Sequence, residues 1–301
     1  MYDTVEKLIA AAMAAQKPIS EVVLAWQAET LELAPEAVYE QMRGHYAVMA
    51  ASVAEGSKPG VRSASGLSGG DAYKMDAAVQ GGKTLCGGLI PTALAKALAV
   101  SEWNAAMGRI VAAPTAGSCG ILPAAVLTLQ EARALPERAC VMSLFTAAAI
   151  GLVVAQNACI AGAQGGCQAE CGTASAMAAA ALVELCGGTP AQAGHAVAIA
   201  LKNVLGLVCD PVAGLVEIPC ILRNASGAAG AFVAAELALA GVESAIPADE
   251  AILAMKRVGD TMPAALRETA EGGLAATPTA KRLFEQVFGA GDGCAACGAC
   301  R

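Results

Sequence analysis

The chain has 301 residues, of which 56% are hydrophobic, 3% aromatic and 15% charged, and its net charge is -7. Bulk drawn from Ala, Gly, Leu and Val favours closely packed helices, and the length fits one large domain or two small ones. An acidic balance with no basic cluster argues against nucleic acid as a partner.

Helix signals dominate in chain order. Residues 3–15 read as a short amphipathic helix. The opening MYDTVEKLIAAAM lacks the basic start of a signal peptide, which predicts a cytoplasmic protein. Ser20 is placed to cap EVVLAWQAETL, and Pro35 to sit in the first turn of PEAVYEQMRGHYAVMAASV. The Gly- and Ser-rich stretch GSKPGVRSASGLSGGDAYKM, residues 56–75, predicts a loop that ends by capping a helix at Asp71. A helix rich in Ala and Leu follows Pro91 and runs to about Met107. A second glycine-bearing loop, PTAGSCG at 114–120, opens the helix ILPAAVLTLQEARAL.

Residues 139–169 carry no charge, and ACVMSLFTAAAIGLVVAQ is long enough to span a bilayer. Gln156, Asn157, Gln164 and Gln168 follow closely and no aromatic belt marks an interface, so a buried central helix is expected. Next come a turn at GAQGGCQAECG, the helix TASAMAAAALVEL, and a helix begun by Thr189-Pro190 as cap and first-turn proline. Further helices are expected near 226–241, 249–258 and 278–288, and no strand pattern of useful length occurs. The fold expectation is mainly α. It comprises one compact multi-helix domain over residues 1–288, a largely apolar central helix, and a flexible cysteine-bearing C-terminal tail, 289–301.

Twelve cysteines are many for a reducing compartment, where they serve as core thiols, metal ligands or reactive groups. Cys86, Cys140, Cys159 and Cys186 lie in or near apolar helical text and predict core packing. Cys167, Cys171, Cys209 and Cys220 lie at turns beside Gly, Pro or charge. Cys294, Cys297 and Cys300 form C-x2-C-x2-C, a spacing used for iron–sulfur clusters, with zinc as a rival occupant. The stretch GLVCDPVAGLVEIPC, residues 206–220, sets two of the turn cysteines among core residues. Its prolines would fix the loop, Val212, Leu215 and Val216 would bury it, and Asp210 would either bond loop amides or sit near a substrate. The histidines are only His45 and His195. Both read as packed or half-exposed helix residues, which leaves no convincing general base.

The motifs SGLSGGDAYK, AAPTAGSCGILPA, GGCQAECGTASAMAAA and GLVCDPVAGLVEIPC-x-x-RNA together resemble the α chain of iron–sulfur-dependent L-serine dehydratase (L-serine ammonia-lyase). The resemblance covers most of the chain and is strongest from about residue 60 to 226. It implies a 4Fe–4S cluster on Cys167, Cys209 and Cys220, with Cys300, Cys297 or Cys294 as a removable cap on the fourth iron. It also implies L-serine as substrate, pyruvate and ammonia as products, and a place in amino-acid degradation and gluconeogenesis. A separate β chain, carrying part of the site and the base, and an oligomeric assembly are expected with it. Three held ligands leave an iron open for catalysis, where four would suit electron transfer.

Two loops are then expected to hold substrate. SGLSGGDAYK offers Ser65, Ser68, Gly69, Asp71 and Lys74. PTAGSCG offers Thr115, Ser118 and backbone N–H groups at a helix start, which suit a carboxylate. Asn224 and Arg223 follow a cluster cysteine and reach toward the same pocket, and Cys119 is either a pocket thiol or a small core residue. The bland alternative for both loops is a tight turn in which glycine permits close helix packing. Rival functions are a pyridoxal-phosphate lyase using Lys74, Lys83 or Lys202, another amino-acid β-lyase such as a cysteine desulfurating enzyme, and a non-catalytic iron–sulfur or metal carrier.

Overall fold

A computed structural model describes residues 2–289. Thr4 caps the first helix, α1 (Val5–Ala15), by accepting the Lys7 N–H. α2 (Ile19–Leu31) starts one residue before the expected cap. Ser20 is buried in its first turn, and its N–H donates to the Glu184 carboxylate, 3.2 Å away. A side chain from another helix therefore does the work expected of Ser20. α3 (Pro35–Gly56) begins on Pro35 as expected.

The serine loop leads into α4 (Asp71–Gln80), which is followed by α5 (Leu89–Ala105) and α6 (Ile121–Arg133). Asp71 is the first helical residue of α4 and not its cap. The capping group is the buried Glu102 of α5, whose carboxylate accepts the N–H groups of Gly70, Asp71 and Ala72 at 3.0, 2.7 and 3.3 Å. α7 (Glu137–Asn157) is long and apolar enough to cross a membrane by length and composition, and 12 of its residues are buried inside the protein.

The expected turn at GAQGGCQAECG is helical. It comprises the short α8 (Gly162–Gly165) and a wide π-type turn, Gln168–Gly172, that runs into α9 (Thr173–Leu185). Gln168 supports the wide turn. Its amide donates to the carbonyls of Gly165 and Met255 and accepts the Gly206 N–H. Every residue of α9 from Thr173 to Val183 is buried, and α6, α7, α10 and α11 surround it. Its alanines let those neighbours approach closely, so α9 is the most enclosed helix.

α10 (Pro190–Lys202) carries the full capping box of Thr189 and Gln192. α11 (Cys220–Leu239) begins six residues before the expected start at 226. Its Gly227 looks like a helix breaker in sequence, yet a Cβ there would stand 2.5 Å from Ile121 of α6, so the glycine permits a close helix crossing. α12 (Ala248–Thr261) and α13 (Pro278–Phe288) complete the order. Among the described residues no strand forms, apart from a single bridge between Cys209 and Arg267.

Of the four predicted core thiols only Cys140 is buried. Cys86 is exposed in the loop before α5, and Cys159 and Cys186 are half-buried. The tail cysteines Cys294, Cys297 and Cys300 lie outside the described residues.

Candidate active site

Four cysteines gather where α8, α9 and α11 meet the 206–220 stretch. Cys167, at the start of the π-type turn, and Cys171 have their sulfur atoms 3.4 Å apart. Cys209 sits in a bridge to the 264–268 segment, its N–H donating to the Leu266 carbonyl and its carbonyl accepting the Glu268 N–H. Cys220 opens α11 behind Pro219. All four are buried and none is in a disulfide. Burial, with the Cys167 charge second, pushes the Cys220 thiol up to about 12 and raises Cys209 as well. Cys167 is held below the ordinary thiol range, first by its hydrogen bond with Cys171, and also by the nearby Arg223 guanidinium.

Arg223 is fixed by the Val208 carbonyl and by Asp210, each at 2.8 Å. The other Asp210 oxygen accepts the Leu274 N–H at 2.7 Å, so Asp210 does bond a loop amide. Val212 is buried and Leu215 half-buried, but Val216 is exposed, so the stretch is covered from one side only.

The expected substrate loops are tied to these cysteine-bearing turns by three side chains. Glu170, one residue before Cys171, accepts the Thr115 hydroxyl at 2.9 Å, and Thr115 and Ser118 lie 3.1 Å apart. Burial pushes the Glu170 carboxyl above the usual range. Asn224 is spent entirely within the protein. Its oxygen accepts the Gly120 N–H, and its nitrogen donates to the carbonyls of Gly117 and Cys220, at 2.8, 2.7 and 2.9 Å. Glu217 accepts the hydroxyls of Ser65 and Ser68 at 2.7 and 2.6 Å.

Gly69 is pressed against the backbone of Val61 and Arg62, where a Cβ would stand 2.4 Å from the Val61 carbonyl oxygen. Asp71 and Lys74 are exposed and pair with each other at 2.7 Å. Cys119 is fully enclosed, and burial pushes it up to about 12, which makes it a core thiol. His195 accepts the Ser244 N–H through Nδ1 on α10, and His45 is exposed on α3.

Sequence reading missed Glu102, Glu170 and Glu217. Each is a lone carboxylate in apolar or small-residue text, and that isolation is the signal that marks a partnered charge, buried at Glu102 and Glu217 and half-buried at Glu170. A cleft of about 380 Å³ touches Cys171, Ser175 and Arg223. Another of about 790 Å³, lined by Ala213, Glu271 and Phe284, reaches none of the four cysteines.

Residues 14–275 match the family model described as serine dehydratase alpha chain. The chain is 53% identical over 289 residues to a probable L-serine dehydratase alpha chain of Bacillus subtilis, covering 96% of each protein. It is also 53% identical over 211 residues to the L-serine dehydratase alpha chain of Peptoniphilus asaccharolyticus, covering 70% of this chain and 72% of that one. The match to the L-serine dehydratase TdcG of Escherichia coli is 49% over 181 residues, 60% of this chain and 40% of that protein. A helical scaffold of this kind, with these relatives, defines a lyase. The chain belongs to the serine dehydratase alpha chain family.

Proposed function

We propose that this chain is the catalytic α chain of an L-serine ammonia-lyase, which eliminates the β-hydroxyl and yields pyruvate and ammonia. The observation that carries the reading is the gathering of Cys167, Cys209 and Cys220 from three separate segments of a chain whose relatives are named L-serine dehydratases.

The cysteines fit a 4Fe–4S cluster by their chemistry. They are buried and free of disulfides, Cys209 and Cys220 are costly to ionise without a compensating cation, and Cys167 is already favoured as a thiolate. Among the described residues no three metal-binding side chains converge on a single ion. Cys167, Cys209 and Cys220 would hold a multi-iron cluster, which does not require three side chains on one ion. When bound, the cluster would supply a Lewis acid with an open position for the substrate hydroxyl.

The chain's own residues do the rest. Burial at the cysteines excludes water, and Arg223 holds charge beside Cys167. Asn224 and Glu170 fix the PTAGSCG loop, whose Thr115 and Ser118 face the same region. Gly69 shapes the serine loop, and Asp71 and Lys74 pair on α4 beside it. The base comes from a separate β chain, since His195 is engaged and His45 lies out on α3. The released aminoacrylate tautomerises and hydrolyses to products. Cys300, Cys297 or Cys294, which lie outside the described residues, would act as the removable fourth ligand. Nine free cysteines among the described residues fit the cytoplasm.

A pyridoxal-phosphate mechanism fits poorly. The helix N-terminus after SGLSGG, which would cradle the phosphate, is filled by Glu102. Lys74 and Lys83 are exposed and Lys202 donates to Ser244.

The test is iron and acid-labile sulfide per chain after anaerobic purification, with pyruvate formation from L-serine assayed with and without a β chain. About four of each per chain is expected for one cluster, together with pyruvate when the β chain is present. Full turnover by the α chain alone would overturn the assignment of the base. Metal-free deamination would restore the pyridoxal reading. A cluster lost on replacing the three tail cysteines would mark a carrier, because a dehydratase retains it on Cys167, Cys209 and Cys220.

A further inference from the structure

The serine loop forms a hydrogen-bond chain whose direction follows from counting protons. Ser65 and Ser68 each have one hydroxyl proton, and both point at Glu217. The Ser65 oxygen accepts the Leu67 N–H at 3.1 Å. Its own proton being spent, it also accepts from the Ser63 hydroxyl at 3.2 Å. The Ser63 oxygen in turn accepts the Ser68 N–H at 3.2 Å. Ser65 is thus saturated and the buried Ser63 has spent its proton, whereas among the described residues the Ser68 oxygen accepts from nothing. Ser68 is half-exposed and presents lone pairs only.

The loop has no proton to offer an anion from these hydroxyls, and the amides at the start of α4 are taken by Glu102. Glu217 is 6% exposed, and its side-chain partners are two neutral hydroxyls. Among the described residues it takes part in no ion pair. Arg62 is exposed and reaches only the Gly69 carbonyl, at 3.5 Å. A carboxylate buried without a cation is a costly arrangement that a cationic ligand relieves.

We propose that Ser68 and Glu217 form the subsite that receives the α-ammonium group of the amino-acid substrate, with Ser63 and Ser65 holding the carboxylate in place. This rests on the reading of the chain as an amino-acid lyase. It reverses the usual expectation for a glycine-rich loop at a helix start, which is that it holds an anion. The location is suitable. The Glu217 carbonyl accepts the Ile221 N–H at 2.9 Å, closing the turn that carries Cys220. Asp210, the buried carboxylate beside Cys209, is already neutralised by Arg223, and Glu170, half-buried near the cysteines, is closed over by glycines. A Cβ at Gly162 would stand 2.7 Å, and one at Gly117 3.3 Å, from its oxygens.

The test uses the cluster-loaded enzyme with its β chain under anaerobic conditions and measures binding by calorimetry. The two probes are 2-aminoethanol, which keeps the ammonium and lacks the carboxylate, and glycerate, which keeps the carboxylate and lacks the ammonium. Glu217→Gln is expected to weaken 2-aminoethanol about tenfold or more, the loss typical of a charge-assisted contact. It should leave glycerate unchanged or tighter. Ser68→Ala, which keeps the Ser65–Glu217 bond, should weaken 2-aminoethanol several-fold and decides the matter if Glu217→Gln fails to fold. Equal losses for both probes, unchanged 2-aminoethanol affinity in both variants, or no 2-aminoethanol binding by the unaltered enzyme would overturn the subsite. Failure of the lyase reading is separate, being the absence of pyruvate from the unaltered enzyme.

Discussion

Replacing Gly162 with alanine tests how closely the cysteine site is packed. The added methyl carbon would lie 2.8 Å from the Cys209 sulfur and 2.7 Å from a Glu170 oxygen, well inside van der Waals contact. Gly162 lies in α8 and is not among the positive-φ glycines, so alanine adds no backbone strain. Helix propensity favours it by up to about 1 kcal/mol. Forcing a side chain into a filled space costs roughly 1–3 kcal/mol. The net is a loss of about 0–3 kcal/mol, coupled to a displaced sulfur or carboxylate. The control is Gly44→Ala in α3, where a Cβ meets nothing within 4 Å and a gain of about 0.5–1 kcal/mol is expected. Urea unfolding of both variants, with iron bound after anaerobic reconstitution, separates the effects. Gly44→Ala should be the more stable and keep its iron, whereas Gly162→Ala should bind much less iron and lose at most about 3 kcal/mol. Wild-type unfolding together with wild-type iron in Gly162→Ala would refute the packing reasoning.

Asn224→Ala removes three hydrogen bonds and strands the Gly120 N–H in a buried place, so urea unfolding should show a loss of about 2–4 kcal/mol. Glu102→Ala uncaps α4, and amide exchange should accelerate at Gly70, Asp71 and Ala72 ahead of the rest of the fold. Brief alkylation of the native chain should label the exposed Cys86 and spare Cys119 and Cys140, as read by peptide mass mapping. Burial raises Cys119 to about 12 and Cys140 to about 11, from an ordinary value of 9.0. Both folded values lie above the unfolded one, so their contribution to stability is intact below about pH 9 and is lost as pH rises through 11 to 12. Cys140→Ala should flatten the unfolding free energy over that range, and an unchanged slope would remove Cys140 from the account.

Helices with local signals were legible in the chain. Pro35, the Thr189 capping box and Pro278 each start a helix where the residues place it, because those signals act within one turn. Starts governed from a distance were not. Ser20 and Asp71 both look like caps, yet Glu184 and Glu102 reach from other helices to take the exposed amides. The same division runs through the site. The cysteine turns and the glycine loops could be named from their motifs. Their connections could not, because Glu170 reaches Thr115 across 55 residues and Glu217 reaches Ser65 across 152.

Those connections share a plan. Glu170, Glu217 and Asn224 each lie within four residues of a site cysteine, and each reaches out to a glycine-bearing loop. A shift of a cysteine-bearing turn is therefore felt by Thr115, by the Ser65–Ser68 pair and by Gly117 through single side chains. Hydrogen bonds of this kind also decide what each loop can offer a ligand, since a donor engaged within the protein is lost to the substrate. Glycine-rich text at a helix start suggests an anion cradle only while its amides are free. Here Glu102 occupies one such start and Asn224 reaches the other, so the chemistry of both loops is set by residues that no local motif contains.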